Sequence, residues 1–265
     1  MGTSEYPQLE ILHEDNHLLI CNKPPNMPSQ SDESGDIDLV STAKEYLKKK
    51  YSKKGNVYLG LVHRIDRPAS GIVIAARTSK AASRMAEQMR EHRIIKQYSA
   101  VVHGVPSQKK KVLTHWLVKN SKTNTSAVAG SDIPDAKFSE LTYSVRETVC
   151  NVIEPGKNPM KTGNARHEFC IDSLSLLEIA LKTGRPHQIR VQFSHEGFPV
   201  YGDGLYGPHN TKTSSLALFS RSVTFTHPVS GKNMSFSLPL PEVFPWNLFK
   251  FSTLLENHPV VLFPA

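Results

Sequence analysis

Cysteine is scarce in this chain, and long apolar runs are missing from it. Only three cysteines, Cys21, Cys150 and Cys170, occur among 265 residues, and no two of them form a CxxC pair. Their number and spacing argue against a disulfide framework and a structural zinc site. No apolar run approaches the roughly 18 residues that cross a bilayer. The first residues lack a basic stretch followed by an apolar one, so we expect a cytoplasmic protein without membrane association.

Positive charge, by contrast, is plentiful. Lys and Arg number 32 against 24 Asp and Glu, which gives a net charge of +8 at pH 7 and a pI near 9.3. The lysines cluster at 48–50 and again at 109–111. Such runs are often only solvated faces, but two of them in one basic chain favour a nucleic acid as partner.

The hydrophobic pattern mixes short strands with a few helices, which predicts one α+β domain. Two stretches rich in polar residues, glycine and proline, 119–136 and 151–166, are predicted to be long loops or hairpin tips. The predicted helices cover 38–51, with Asp38 as N-cap, and 78–92, with Thr78 or Ser79 as N-cap; the predicted strands lie within 9–22 and at 72–76, 97–102, 141–145 and 173–181.

The segment His63–Gly71 (HRIDRPASG) carries the most chemical information. It places the carboxylate of Asp66 between Arg64 and Arg67. Nearby positive charge favours the ionised form of a carboxylic acid. An ionised, positioned carboxylate is either half of a structural ion pair or a nucleophile or base, and this segment alone leaves both open.

Three later segments hold further candidate side chains. Arg93–Tyr98 ends in a tyrosine that either stacks on a planar base or is an ordinary strand residue. In Leu181–Phe193 a glycine turn leads into a predicted helix that includes Arg190, and Pro186 suits the first turn of that helix. Pro199–Gly207 has three glycines and two tyrosines, which predicts a tight loop without a nucleotide-binding pattern.

These segments, in this order and spacing, resemble the RluA family of RNA pseudouridine synthases over about residues 9–240. HRIDRPASG is similar to the family's catalytic segment HRLDxxTSG, and RIIKQYSAVVHG to its K-x-Y-x-A-x-V-x-G segment. LKTGRPHQIRVQFSHEGFPVYGDGLYG resembles its third signature, and LEILHEDNHLLICNKPPNMP its opening strand pair and Lys-Pro loop. The departures are Ile65 for leucine, Ala69 for threonine, Phe219–Ser220 for His-Ala, and Asn26 for glycine. Asparagine tolerates a left-handed backbone better than most residues.

The resemblance implies an α+β fold with a central mixed, mainly antiparallel β-sheet flanked by helices and loops. We expect one catalytic domain over residues 1–265, without the small S4 RNA-binding domain that many relatives carry.

The resemblance also implies three catalytic residues. Asp66 is expected to be the catalytic carboxylate, and Arg190 the arginine that pairs with it and keeps it ionised. Tyr98 is expected to pack against the target base and to assist proton removal from C5.

Five further residues are expected to bind the substrate. By the resemblance, Leu218 lines the uracil pocket and Arg64 helps fill the space left by the flipped nucleotide. Lys23 contacts RNA or supports the site. His63 and Arg185, which lie in the same segments, are two more candidates.

The implied reaction isomerises uridine in RNA to pseudouridine, without cofactor or metal. The base is detached at N1, rotated and rejoined through C5; Asp66 attacks the sugar or the base, or abstracts a sugar proton. A uridine in folded RNA must first be flipped out of its stack, and lysine clusters can supply the phosphate contacts that offset this cost. The expected partner is a loop of rRNA or tRNA, and the protein is expected to be a monomer.

Two other functions are compatible with the residues. One is a non-catalytic RNA-binding or ribosome-assembly protein on the same fold. The other is a glycosidase, which needs a second carboxylate across the scissile bond. Glu14, Asp172 and Asp203 are the candidates for that carboxylate.

Overall fold

The computed structural model describes residues 6–153, 170–208 and 215–250. Within these ranges, eleven strands form one sheet and three α-helices accompany it. The strands are β1 (Glu10–Glu14), β2 (Leu18–Lys23), β3 (Gly60–Leu61), β4 (Ser70–Ala76), β5 (Ile95–His103), β6 (Lys110–Asn120), β7 (Thr125–Ala129), β8 (Lys137–Ile153), β9 (Cys170–Leu181), β10 (Leu218–Thr226) and β11 (Asn233–Ser237). The helices are α1 (Leu39–Lys50), α2 (Ser79–Arg90) and α3 (Gln188–His195), and a short 3-10 helix covers Trp246–Leu248.

The sheet is mixed and mainly antiparallel, as predicted. Its main path runs β1-β2-β4-β10-β5-β9-β8-β6-β7, with β11 beside β10 and β3 beside β4. Among the described strands, only β4 and β10 pair in parallel. Antiparallel neighbours can be joined by short turns, whereas a parallel pair needs a long crossover. The chain between β4 and β10 supplies that crossover and brings distant segments together.

The two helices predicted from the sequence are confirmed, together with their N-caps. The Asp38 side chain accepts a hydrogen bond from the Ser41 amide at 3.1 Å, and Thr78 Oγ1 accepts one from the Ala81 amide at 3.1 Å. Each cap satisfies an amide that the first helical turn leaves unpaired. No helix among the described residues has both the length and the apolar character needed to cross a membrane.

Strand β4 is buried along almost its whole length and has neighbours on both edges. Strand β2 follows one edge. On the other edge β10 pairs only with Ser70–Gly71 and β3 only with Ala75–Ala76. The edge is therefore split between β10 and β3. Side chains complete it there: Ser220 Oγ donates to the Ile72 carbonyl at 3.0 Å, and His63 Nε2 accepts from the Ile74 amide at 3.3 Å. The segment His63–Gly71, which carries Asp66, follows β3 and leads into β4, so it begins at the gap between β3 and β10.

Glycine is required where β4 and β10 meet. Gly71 has a φ of +113°, and an added Cβ would lie 2.3 Å from the Ser220 carbonyl oxygen. Any side chain at this position would push β10 away from the start of β4. The sequence also predicted that Asn26, which stands where relatives have glycine, tolerates a left-handed backbone. Its φ of 63° lies in that region and confirms this prediction.

Two local predictions need correction. The stretch 119–136 is not all loop, because Thr125–Ala129 pairs with β6 as strand β7. Alternating side chains in TSAVA give too short a signal to be separated from a loop. Residues 151–153 belong to β8, and 154–166 lie outside the described residues. The third helix begins at Gln188, so Pro186 precedes it, and His187 at its N-cap has a φ of 55° and forms no side-chain cap.

A buried carboxylate anchors α1 to the first strands. Glu14 accepts hydrogen bonds from Tyr46 Oη at 2.8 Å, Lys50 Nζ at 2.7 Å and Arg77 Nη1 at 3.0 Å, and also from Tyr51 Oη. Burial on its own raises the pKa of Glu14, but the hydrogen bonds from Lys50 and the two tyrosines outweigh it and lower the pKa to about 2.

We expect Glu14→Gln to lower the free energy of unfolding by about 1–3 kcal/mol at pH 7, because charged hydrogen bonds are lost in a buried site. The folded pKa lies below the ordinary value of 4.5, so this stabilisation is present above pH 4.5 and disappears as the pH falls toward 2. Urea unfolding between pH 7 and pH 3 tests this. The two proteins should converge at low pH, and the exposed Glu87→Gln is the control. Equal stability at pH 7 would contradict the prediction.

Candidate active site

A pocket of about 450 Å³ opens beside the segment that follows β3. It brings together three of the four segments singled out in the sequence. The residues lining it include seven of the eight predicted site residues: His63, Arg64, Asp66, Tyr98, Arg185, Arg190 and Leu218.

Asp66 lies on the pocket wall with its side chain 23% exposed, and its cationic partner is Arg190. Arg190 Nη1 donates to Asp66 Oδ2 at 3.2 Å. The two arginines next to Asp66 in the sequence are not its partners, contrary to the expectation from the sequence. Arg64 is exposed, and Arg67 instead pairs with Asp36 and, at 3.6 Å, with Asp32. The chain turns directly after Asp66, where the Ala69 amide donates to the Asp66 carbonyl at 3.0 Å, so sequence proximity did not bring these charges together.

The strongest contacts of Arg190 are to a second carboxylate, Asp203. Nε and Nη2 of Arg190 donate to the two Asp203 oxygens at 2.8 and 2.7 Å, and both side chains are almost completely buried. Asp203 Oδ1 also accepts from the amides of Leu205 and Tyr206 at 2.9 and 3.0 Å. Burial alone lowers the pKa of Arg190, but the two carboxylates raise it overall. This bidentate pair fixes the guanidinium plane and leaves Nη1 for Asp66.

Tyr206 connects this ion network to the β6–β7 hairpin. Its ring lies over the Arg190 guanidinium at 5.1 Å. Its hydroxyl accepts from the Ser126 amide at 2.7 Å and lies 2.8 Å from His187 Nδ1. Ser126 Oγ donates to the Pro186 carbonyl at 2.9 Å. The hairpin therefore forms one wall of the pocket, where it contributes Lys119 and Asn124.

Tyr98 and Leu218 form an apolar part of the pocket on adjacent strands. Tyr98 lies on β5, and Leu218 begins β10, whose Ser220 is paired with Tyr98 across the sheet. Burial raises the pKa of the Tyr98 hydroxyl well above its usual range, and the nearby Asp66 charge adds to this rise. The phenol therefore stays neutral at physiological pH, when it can donate a hydrogen bond but is a poor base.

Three predicted substrate-binding residues differ in exposure. Arg64 is exposed at the pocket rim. Arg185 is half-buried and lines the pocket, and its Nε donates to the Phe138 carbonyl at 2.9 Å. His63 is buried, and burial together with the charge of Lys96 lowers its pKa to about 3. His63 is thus a neutral residue of the pocket wall that also completes the edge of β4.

The expectation that Lys23 contacts RNA is wrong, because Lys23 is completely buried. Its Nζ donates to three carbonyls, those of Pro24 at 2.9 Å, Met27 at 2.7 Å and Arg67 at 3.0 Å. The ammonium group therefore joins the Lys-Pro loop to the segment that carries Asp66. These contacts agree with the second role considered for Lys23, support of the site, which stays a prediction.

The geometry agrees with comparisons to known proteins. A family model described as RNA pseudouridylate synthase matches residues 17–195. The chain belongs to the RNA pseudouridine synthases of the RluA family. The ribosomal large subunit pseudouridine synthase D of Zymomonas mobilis is 32% identical over 246 residues, which cover 88% of this chain and 70% of that protein. A synthase C of Buchnera aphidicola is 32% identical over 238 residues, covering 87% of this chain and 67% of that protein.

Solved structures support the same fold. Human RNA pseudouridylate synthase domain containing 1 superposes with a TM-score of 0.69 at 21% identity, over 92% of this chain and 88% of that chain. The α+β pseudouridine synthase fold expected from the sequence is therefore confirmed, and the synthase is an isomerase that acts on RNA.

The glycosidase alternative is wrong. The chain's family is a different one, and two of the proposed second carboxylates are already engaged. Asp203 is buried behind Arg190, and Glu14 anchors α1. The side chain of Asp172 lies outside the described residues.

Sequence reasoning missed four residues of the synthase site: Lys96, Lys119, Asp203 and Tyr206. Lys96 is the first residue of the K-x-Y-x-A-x-V-x-G segment and lies on the same face of β5 as Tyr98, so that segment could have indicated it. Asp203 and Tyr206 lie in a glycine-rich segment that was interpreted as a structural loop. Within the residues that the structure describes, no group of three His, Cys, Asp or Glu side chains is arranged to hold a metal ion.

Asp203→Asn should lower the free energy of unfolding of the synthase by about 3 kcal/mol, because Arg190 becomes a buried cation with one carboxylate partner fewer. Adding Arg190→Met should recover part of this loss, since the uncompensated charge is then removed while the introduced amide oxygen can still accept from the loop amides. Urea unfolding of the single and double variants tests both. A double variant less stable than Asp203→Asn would contradict this account.

The lowered pKa of Lys23 predicts that the free energy of unfolding depends on pH. Burial, with the Arg67 charge adding to it and Asp66 opposing it, lowers the pKa of Lys23 from 10.5 to about 7. Between these values the unfolded chain binds more protons than the folded protein, so this group makes stability rise with pH. In Lys23→Met that rise is lost. The stability difference in favour of the natural protein should grow from pH 7 to pH 10 by about 1 kcal/mol for each pH unit.

Urea unfolding at four pH values measures this difference, with the exposed Lys80→Met as control. If the free energies of unfolding of the natural protein and Lys23→Met change in parallel between pH 7 and pH 10, the lowered pKa of Lys23 is ruled out.

Proposed function

We propose that this synthase converts specific uridines of rRNA or tRNA to pseudouridine and that Asp66 is its catalytic carboxylate. The observation that carries the proposal is the position of Asp66, partly exposed in the pocket and hydrogen-bonded to a fully fixed Arg190. An rRNA substrate is supported by relatives whose names specify the ribosomal large subunit.

The pocket has the size and character that a flipped uridine requires. Tyr98 and Leu218 give it an apolar surface on which a pyrimidine can pack, and Arg190 aligns the carboxylate with the sugar or base edge. Flipping a base costs a few kcal/mol, which contacts between rim cations and phosphates offset. Arg64 and Lys119, both exposed at the rim, are suited to those contacts.

Each residue then has a defined part in the reaction. Asp66 reacts with the substrate, and Arg190 orients the carboxylate through the hydrogen bond from its Nη1. Tyr98 packs against the uracil ring and, as a neutral phenol, can donate a hydrogen bond. A carboxylate is needed rather than a hydroxyl because it is charged at neutral pH without a separate base.

The test is to incubate the protein with unmodified rRNA and tRNA transcripts, and with ribosomal precursor particles, and to map pseudouridine at single-nucleotide resolution. Asp66→Asn, which keeps the shape of the side chain, should reduce the rate by at least about a thousandfold. Asp135→Asn, on an exposed turn, is the matched control and should retain the natural rate. Salt-sensitive RNA binding without new pseudouridine in any RNA would favour the non-catalytic RNA-binding or ribosome-assembly role instead.

A further inference from the structure

Lys96 is a buried cation for which the described part of the chain provides no counter-ion. Its side chain is only 8% exposed, yet it lines the same pocket as Asp66 and Tyr98. Its Nζ lies close to the backbone at Gly184, where an added Cβ would be 3.4 Å from it. Burial is also the one cause that lowers the pKa of Lys96. The fold thus holds an ammonium group at the pocket without satisfying it.

The pocket residues around Lys96 do not compensate its charge. The two carboxylates that line the pocket, Asp32 and Asp66, pair with Arg67 and Arg190. His63 is neutral because burial and the charge of Lys96 itself lower its pKa to about 3. An unpaired charge that is largely removed from solvent lowers the stability of the folded protein. A cost of this kind, carried next to a reactive carboxylate, indicates that the charge acts on the substrate.

The position of Lys96 inside the pocket, rather than at its mouth, indicates which part of the substrate reaches it. The exposed cations Arg64, Arg67 and Lys119 border the mouth of the pocket, where the sugar-phosphate chain has to remain. A flipped nucleotide inserts its base into the pocket and leaves its phosphates outside. Buried Lys96 therefore faces the base, and the acceptors that uracil offers are its carbonyl oxygens.

We propose that Lys96 binds a carbonyl oxygen of the flipped uracil and stabilises the negative charge that the ring acquires during the reaction. The proposal rests on the proposed function. When the N1–C1′ bond breaks, its electron pair stays with uracil, and the charge spreads over N1 and the two carbonyl oxygens. When C5 bonds to C1′, Asp66 is released: its bond to C1′ or C6 breaks, or it returns the sugar proton. The C5 proton passes to water and N1 takes one up from water, so the isomerisation is balanced.

This role does not depend on how Asp66 reacts. Attack of Asp66 on C1′, or abstraction of a sugar proton, expels the same uracil anion. Attack on C6 of the base places the charge on the carbonyl oxygen at C4. Each route develops negative charge on the ring, where a fixed, desolvated cation is most effective.

The test is Lys96→Met, with Lys80→Met on the exposed start of α2 as the matched control. With RNA at saturating concentration, Lys96→Met should slow pseudouridine formation in a single turnover by about a hundredfold or more. Its RNA affinity and the salt dependence of that affinity should match those of the natural protein. Lys80→Met should leave all three quantities unchanged.

Two results would overturn the proposal. A natural single-turnover rate in Lys96→Met would show that the cation does not act on the base. A weaker affinity whose slope against log salt decreases by about 0.7–0.9, as one lost phosphate contact gives, would assign Lys96 to the RNA backbone instead.

A third measurement separates chemistry from structure. In Lys96→Ala, added methylamine should restore part of the rate, because a small cation can enter the vacated space. Absence of rescue in a variant with natural thermal stability would count against the proposal. Should Lys96→Met fail to fold, Lys96→Gln, which keeps a polar end group, replaces it. If the natural protein itself forms no pseudouridine, the proposed function fails rather than the role of Lys96.

Discussion

The ion pair between Arg190 and Asp203 is the interaction on which the rest of the site depends. A guanidinium can remain in a protein interior when a carboxylate takes up two of its donors, and Asp203 does so with both oxygens. Asp203 is in turn held by two amides of its own loop. The loop thereby fixes Asp203, and Asp203 fixes the guanidinium of Arg190. Arg190 in turn positions Asp66, the carboxylate of the network that is partly exposed at the pocket surface.

Two buried lysines show how surroundings, rather than residue type, decide what a side chain does. Lys23 donates to three carbonyls and so resembles a cross-link between two loops. Lys96 is also removed from solvent, but the described residues offer its ammonium group no carboxylate. The first arrangement rigidifies the free protein, and the second leaves electrostatic energy to be recovered when a substrate arrives.

Local features of the fold could be predicted from the sequence because they depend on neighbouring residues. The caps at Asp38 and Thr78 and the left-handed Asn26 are of this kind. The RluA resemblance brought Asp66 and Arg190 into one hypothesis, although they lie 124 residues apart. What could not be predicted depends on how loops and helix ends meet in the fold: the burial of Lys23, the turn of Arg67 toward Asp36, and the pairing of Asp203 with Arg190. Only the folded chain decides which of these charges meets a carboxylate, a carbonyl or solvent.

The split edge of β4 also matters for how the chain reaches its folded state on the ribosome. Ser220 on β10 completes the edge at Ile72, across 148 positions of sequence. At the usual speed of synthesis, roughly 7 to 30 s separate the emergence of these two residues. During that interval an apolar strand lacks one neighbour, and such edges readily pair with other chains. Strand β4 is therefore open to pairing with other chains for much of synthesis, until β10 has emerged.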